Sequence, residues 1–403
     1  MKLELLTELL RLDDYFVKQY TNEKNGIVLD LERGGFPECP RCRKKFTETP
    51  KDHRSQKIED LSVFGKRCFL RIEKCRIDCS CGYSGTEHIK WLNRYERVTS
   101  RFQKWTYAFC KRMTCKDVSI VFGISKHLVY RLDKEGIEEE LQQQKPINPS
   151  RIAIDEISRK KGHRYATIIS APNERKILEV VKGRKSSDLA PFFKGKGMKW
   201  CSRITSVSMD AWLAFRKVVK RYCKNAAISF DHFHLAQHFS KAIDKIRIQE
   251  SRKAQLKHKS IYKGTRWLML CNPEKLDKEQ RGSLDTLLKL NGKLMTAYIL
   301  RERFREIYKG HSSHSRLIRL SIWISEAKSA KLVPLTDFVK NILRWEPYIR
   351  NALRGNHSNA FAEGLNNKVR VIQRMAYGYK DFEYLRLKII QQFNFKDVRS
   401  LFD

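Results

Sequence analysis

The chain lacks any run of eighteen consecutive apolar residues, so no segment is long enough to cross a bilayer as a helix. It also lacks the basic-then-apolar leader of a secreted protein. The opening MKLELLTELLRLDDYF is amphipathic and acidic, which argues against a cleaved signal and makes the cytoplasm the expected compartment. No sequence repeat and no long low-complexity segment is present. Acidic residues are scarce beside basic ones, 45 Asp+Glu against 82 Lys+Arg, for a formal net charge of +37. The excess runs along the whole length. Such a surface repels itself unless a polyanion shares it, and nucleic acid is the usual one. A hydrophobic content of 41% and an aromatic content of 11% mark a folded chain, and 403 residues exceed one ordinary core, so roughly two to four domains are expected.

Eleven cysteines form an odd set. Cys39, Cys42, Cys75, Cys79 and Cys81 crowd together, whereas Cys68, Cys110, Cys115, Cys201, Cys223 and Cys271 stand singly. Scattered thiols without a secretion signal point to a reducing compartment, so the cluster reads as metal-binding rather than disulfide-forming. The CPRC pair, Cys39 and Cys42, lets two thiolates reach one tetrahedral Zn²⁺ from a tight turn. A β segment then leads to CRIDCSCG, where Cys81 and either Cys75 or Cys79 would complete a zinc ribbon.

Residues 1–35 read as an N-terminal helix and strand, 36–92 as the zinc ribbon, and 93–144 as a helical DNA-binding domain. Within the last, CKDVSIVFGISKHLVYRLDK fits a helix-turn-helix. Val118 and Phe122 face inward, Gly123 makes the left-handed turn, and Ser125 caps a second helix carrying Val129 and Leu132 inward. Lys126, His127, Tyr130, Arg131 and Lys134 would then point outward toward bases and phosphates. KPINPS over 145–150 reads as a linker.

Beyond it, strands are expected at 150–158, 165–171, 176–183, 203–210 and 226–234, with helices before and after the fourth. Three strands, helix, strand, helix, strand is the order of a ribonuclease H-like core, here over 150–234. Residues 235–355 read as an all-helical insertion, including one long helix at 283–308. Residues 356–403 return to the core as C-terminal helices. The expected fold is therefore multidomain α+β: zinc ribbon, helix-turn-helix, and an interrupted ribonuclease H-like α/β catalytic core.

Phosphoryl chemistry on DNA calls for hard divalent cations and clustered carboxylates. Asp155 sits inside an otherwise apolar strand, where an unpaired carboxylate costs free energy. Glu156 falls on the opposite face. Asp210 ends the fourth strand, where an aspartate can also be merely a helix N-cap. Glu363 heads a polar stripe with Asn367, Arg370 and Arg374, suited to a metal and a DNA backbone. Asp231 and His234, at the end of the fifth strand, could steady the site, lock the fold, or supply another metal ligand.

The stretches CPRC…CGYSGTE, AIDEISRKKGHRYATII, VSMDAW, ISFDHFHLAQHFSKAID, KGTRWLML and NAFAEGLNNKVRVIQRMAYGY cover nearly the full length. Together they resemble bacterial insertion-sequence transposases of the ISL-three family, DDE enzymes with this domain order. The resemblance implies that Asp155, Asp210 and Glu363 hold two Mg²⁺ (or Mn²⁺) ions, and that Asp231 and His234 match the family's aspartate-x-x-histidine signature. It also implies double-stranded DNA partners (terminal inverted repeats and target), a homodimer or larger assembly, and a nucleoid-associated location. A DNA-binding regulator built on a dead nuclease core would need the ribbon and helices but not the carboxylates. A structure-specific nuclease or resolvase without strand transfer is a further alternative; the two-part DNA-binding region favours a sequence-specific enzyme, and strand-transfer products would decide.

Overall fold

The computed structural model describes residues 3–48, 50, 52–160, 164–254, 260–309, 312–355 and 360–395, with the side chains of residues 160, 360, 362 and 363 outside the description. Two compact units emerge, one through Gln144 and one over Lys145–Asn394, so the KPINPS linker opens the second.

The first unit begins with α1 (Leu3–Leu10), β1 (Tyr15–Glu23), β2 (Gly26–Arg33), β3 (His53–Val63), β4 (Lys66–Asp78) and β5 (Ser84–Thr86). One sheet in the order β1-β2-β4-β3 carries β5 on the end of β4. Residues 1–35 therefore share a sheet with the cysteine-bearing segment, because β2 pairs in parallel with β4. Gly26 lets that pairing close: a Cβ there would stand 2.3 Å from the Arg67 carbonyl oxygen. β1 is not foreseen from the sequence, and its mostly exposed residues explain why no apolar alternation marks it.

The two cysteine knuckles sit at the end of this sheet. Cys39 Sγ lies 3.7 Å from Cys81 Sγ, and Cys42 Sγ lies 3.6 Å from Cys79 Sγ. Four sulfurs at about 2.3 Å from a tetrahedral zinc would be about 3.8 Å apart, so the thiols are already spaced for it. Cys79 is thus the fourth member of the group, and its thiol is drawn down to about 7, chiefly by a backbone hydrogen bond with Cys81. Cys75 is not a member. It lies buried within β4, and its sulfur is not among the four that converge.

Three helices follow: α2 (Ser100–Cys110), α3 (Cys115–Phe122) and α4 (Lys126–Gln143). Thr99, Thr114 and Ser125 cap their N-termini, and Gly123 at φ +64° closes α3 in the left-handed region as expected. Val118, Val129 and Leu132 are buried, while Phe122 packs edge-on against Phe102 and Phe109. Buried Asp60 of β3 accepts from the Arg101 guanidinium and from Thr99 Oγ1 at 2.7 Å, tying the sheet to α2. Two cysteines isolated in the sequence, Cys110 and Cys115, converge with Asp133 inside these helices.

The second unit is built on β6 (Arg151–Lys160), β7 (Arg164–Ala171), β8 (Lys176–Lys182), β9 (Ser206–Met209) and β10 (Ala227–Phe230). The order is β10-β9-β6-β7-β8, with β6, β7 and β8 antiparallel and β9 and β10 running parallel to β6. Helices α5 (Ser186–Lys196), α6 (Met198–Ser202) and α7 (Leu213–Tyr222) connect β8 to β9 and β9 to β10. Leu189, Phe193, Phe215 and Val219 from these helices bury Ile152, Ile154 and Val207 of the sheet.

From β10 the chain enters α8 (His232–Lys253), α9 (Thr265–Leu270), α10 (Lys278–Leu290), α11 (Gly292–Lys309), α12 (Ser313–Ser329) and α13 (Val333–Arg354). Their core is aromatic, with Phe239, Phe304, Trp323 and Phe338 in mutual contact and the Trp323 indole donating to Leu300 O at 2.8 Å. The single helix expected at 283–308 is two, because Asn291 Oδ1 accepts from Lys293 N and Leu294 N, both at 3.1 Å, and starts α11 afresh. Two more helices, α14 (Ala360–Met375) and α15 (Phe382–Asn394), return to the sheet, against β6 and β8 respectively.

β8 is an edge strand, and α15 covers it through named bonds. Asn394 accepts from Ile177 N and donates to Ile177 O, both at 2.9 Å, while Arg386 forks onto Glu179 at 2.6 and 2.9 Å.

Two measurements check these features. Replacing Cys79 by Ser should reduce bound zinc from about one ion per chain to near zero, while Cys75→Ser should keep it, as read by elemental analysis of purified protein. Asn394→Ala should cost about 1–3 kcal/mol locally and expose the Ile177 amide to faster hydrogen exchange, with the helical block unaffected.

Candidate active site

Parallel register fixes the centre of the site. Ile154 of β6 pairs with Met209 of β9, and both are buried toward the helices. The next residue on each strand, Asp155 and Asp210, therefore faces the other way, and the two lie side by side. Glu156 alternates back and is bound to Arg184 at 3.0 Å, so it plays no part in the pair.

Asp210 is not a helix cap. α7 begins at Leu213 with Trp212 in the cap position and no side-chain cap bond. The segment after Asp210 is pinned differently: Trp212 N donates to Asp210 O at 2.6 Å, and its indole donates to Arg184 O at 3.2 Å. The Arg184 guanidinium lies over the Trp212 ring at 4.5 Å and over the Tyr165 ring at 4.0 Å.

The fifth strand stops at Phe230, short of the expected 226–234, so His234 lies in the first turn of α8 rather than on a strand. Asp231 is the reason. Its side chain accepts from Phe233 N at 2.9 Å as the N-cap of α8, and its own N–H donates to Met209 O at 3.0 Å. The cap aims His234 into the site. His234 Nε2 lies 2.8 Å from Asp210 Oδ1 and 3.9 Å from Asp155 Oδ1.

Asp155, Asp210 and His234 thus form one group whose ligand atoms lie within 4.8 Å of one another. Burial, then the charge of Asp210, pushes Asp155 up to about 6 despite the hydrogen bonds it receives. Burial opposes the imidazolium of His234, yet the Asp210 hydrogen bond and charge, with Asp155 and Asp231, raise it to about 9. Two carboxylates that resist joint ionisation, with a positive imidazolium drawn against them, are a donor set that calls for added positive charge. Their hard oxygens suit a divalent cation such as Mg²⁺.

α14 brings a residue the sequence reading passed over. Asn366 Nδ2 donates to Asp155 Oδ2 at 2.6 Å. The expected stripe ran from Glu363 to residues four, seven and eleven further on, whereas Asn366, three further on, lies on the same helix side and was not included. Asn367, Arg370 and Arg374 are exposed on α14, and the side chain of Glu363 lies outside the described residues. On α4, Lys126 and His127 are exposed, while Tyr130, Arg131 and Lys134 are half-buried. Arg131 is not simply outward: it forks onto Glu96 at 2.6 and 2.9 Å and also reaches Glu135.

Comparison with known proteins agrees with this arrangement. Residues 152–389 match the profile of the ISL-three type of DDE transposases, described as transposase. Residues 36–81 match a profile described as the zinc-finger of transposase IS204/IS1001/IS1096/IS1165. The chain is 29% identical over 353 residues to the transposase for insertion sequence element IS1001 of Bordetella parapertussis, covering 87% of this chain and 86% of that protein. It is 26% identical over 377 residues to the transposase for insertion sequence element IS1557 of Mycobacterium tuberculosis, covering 85% and 82%. A shorter match, 31% over 109 residues, is to a Lactococcus lactis protein named ATP-dependent protease and spans 27% of the chain. With a profile match over more than half its length, which includes the strands that carry Asp155 and Asp210, the chain belongs to the ISL-three family of DDE transposases.

Proposed function

We propose that the chain binds the terminal inverted repeats of an insertion sequence and performs metal-dependent DNA cleavage and strand transfer. The observation that carries this reading is the convergence of Asp155, Asp210 and His234 at the carboxyl ends of adjacent parallel strands. The order β10-β9-β6-β7-β8, three antiparallel strands continued by two parallel ones, is that of a ribonuclease H-like core. The α3–Gly123–α4 segment has the form of a helix-turn-helix, whose exposed Lys126 and His127, with half-buried Tyr130 and Lys134, would face DNA, while Arg131 is held by Glu96.

Glu363 is the third carboxylate in this reading. Two bonds lay α14 along β6: Asn366 to Asp155, and Gln373 Nε2 to Ser158 O at 3.4 Å. Seven helical residues rise about 10.5 Å and three strand residues about 10 Å, so helix and strand run in step. Glu363 stands three residues before Asn366 in α14, a spacing that supports reading it as the third carboxylate.

Asp155, Asp210 and Glu363 would hold two Mg²⁺ or Mn²⁺ ions, which supply charge neutralisation at the scissile phosphate and activation of the attacking oxygen. The chain's own residues do the rest. His234 holds Asp210 in one rotamer and keeps a proton on Nε2 between the two aspartates. Asp231 fixes His234 by starting its helix. Asn367, Arg370 and Arg374 offer a polar, basic helix face to the DNA backbone. Two element ends must be cut and joined in concert, so a dimer or larger assembly on DNA belongs to this reading.

The test is cleavage of a DNA fragment carrying the element's ends, with Mg²⁺, by wild type and Glu363→Gln. End nicks that fall by about 10²–10³-fold or more in the variant, with DNA binding retained, are expected. Binding without cleavage by either protein would favour a regulator, and nicks without joined products would favour a nuclease.

A further inference from the structure

We propose that Asn366 is a positioning residue of the active site, whose amide fixes the rotamer of Asp155 so that this carboxylate meets its cations in one orientation. The proposal rests on the metal-dependent reading above. Asn366 lies 211 residues from Asp155 in sequence, yet its Nδ2 donates to Asp155 Oδ2 at 2.6 Å. The other oxygen, Oδ1, accepts from Glu156 N at 2.7 Å. Each oxygen is thus held by a donor from a different element, and the carboxylate cannot turn without losing one of them. Each oxygen still has a further lone pair to offer a cation.

The chemistry of the donor supports the assignment. A Lys or Arg in this place would also bond Asp155, but it would neutralise the charge a divalent cation needs. An amide donates without neutralising. Its orientation is set as well, because the flipped amide would press its carbonyl oxygen against a carboxylate oxygen, acceptor on acceptor. The remaining atom, Asn366 Oδ1, is buried with no hydrogen-bond partner among the described residues. An unpaired buried acceptor lowers stability, so the residue serves the carboxylate at some cost to the fold. The in-step packing of α14 on β6, anchored again at Gln373 and Ser158, gives Asn366 a rigid base.

The experiment measures Mn²⁺ binding to the full-length protein by electron paramagnetic resonance and calorimetry, with thermal unfolding of every variant. Wild type, Asn366→Ala, Asp155→Asn and the double variant are compared. Asn366→Ala should raise the Kd of the Asp155-dependent Mn²⁺ site about 10–100-fold, the usual effect of removing a residue that orients a ligand. Its Tm and its affinity for terminal-repeat DNA should stay at wild-type values, and in the Asp155→Asn background it should change nothing further. If Asn366→Ala does not fold, Asn366→Ser carries the same expectation. A variant Kd within about twofold of wild type overturns the proposal alone, as does a Tm loss with unaltered Mn²⁺ affinity of the folded protein. A wild type with no Mn²⁺ affinity that Asp155→Asn removes overturns the metal reading and this proposal together.

Discussion

Two like charges held together by backbone register are the constraint around which the second unit is arranged. With carboxylate oxygens within 4.8 Å of each other, Asp155 and Asp210 resist being ionised together, and burial adds to the penalty. Neither strand can slip to relieve this. A one-residue shift of β6 against β9 would turn Ile154 and Met209 out of the core. The strain has to be met by positive charge brought to the site, and His234 meets part of it from the start of α8.

That requirement explains why the helical block can be inserted where it is. The chain leaves the sheet through α8, whose first turn carries His234, and returns as α14, whose Asn366 touches Asp155. Both ends of the block are therefore anchored on the same two aspartates. Between them the helices close over their own aromatic core of Phe239, Phe304, Trp323 and Phe338. α13 also meets the sheet, where Asn351 Nδ2 donates to Ile228 O at 3.0 Å and Tyr348 stacks on Phe230.

Asp155 was legible in the sequence because a carboxylate in an apolar strand is conspicuous, and the three long strands around it carry clear β texture. Elsewhere the sequence left alternatives open or missed a contact, each for a physical reason. Asp210 reads as a site carboxylate with an N-cap alternative, which α7 removes by starting three residues later. His234 was assigned to a strand because ISFDHFH alternates, and only the capping bond from Phe233 N shows where the helix takes over. Among the cysteines, spacing alone left Cys75 and Cys79 equal; the meeting of the Cys79 and Cys42 sulfurs separates them. Asn366 was missed because both i+3 and i+4 lie on one helix face, and the basic stripe favoured the second.

The charge balance of the whole chain bears on the site most directly. With 82 basic residues, carboxylates readily find partners. Glu156 has Arg184, Glu179 has Arg386, Glu96 has Arg131, Glu59 has Arg67, and Asp30 has Arg71. Among the described residues, Asp155 and Asp210 pair with no Lys or Arg at all; each has only His234. The other polar neighbours of Asp155 are the Asn366 amide and the Glu156 N–H, which orient the carboxylate without neutralising it. In so basic a protein, keeping lysine and arginine away from two adjacent aspartates takes specific packing. That pattern supports the proposed reading, in which a cation from outside the chain occupies the site.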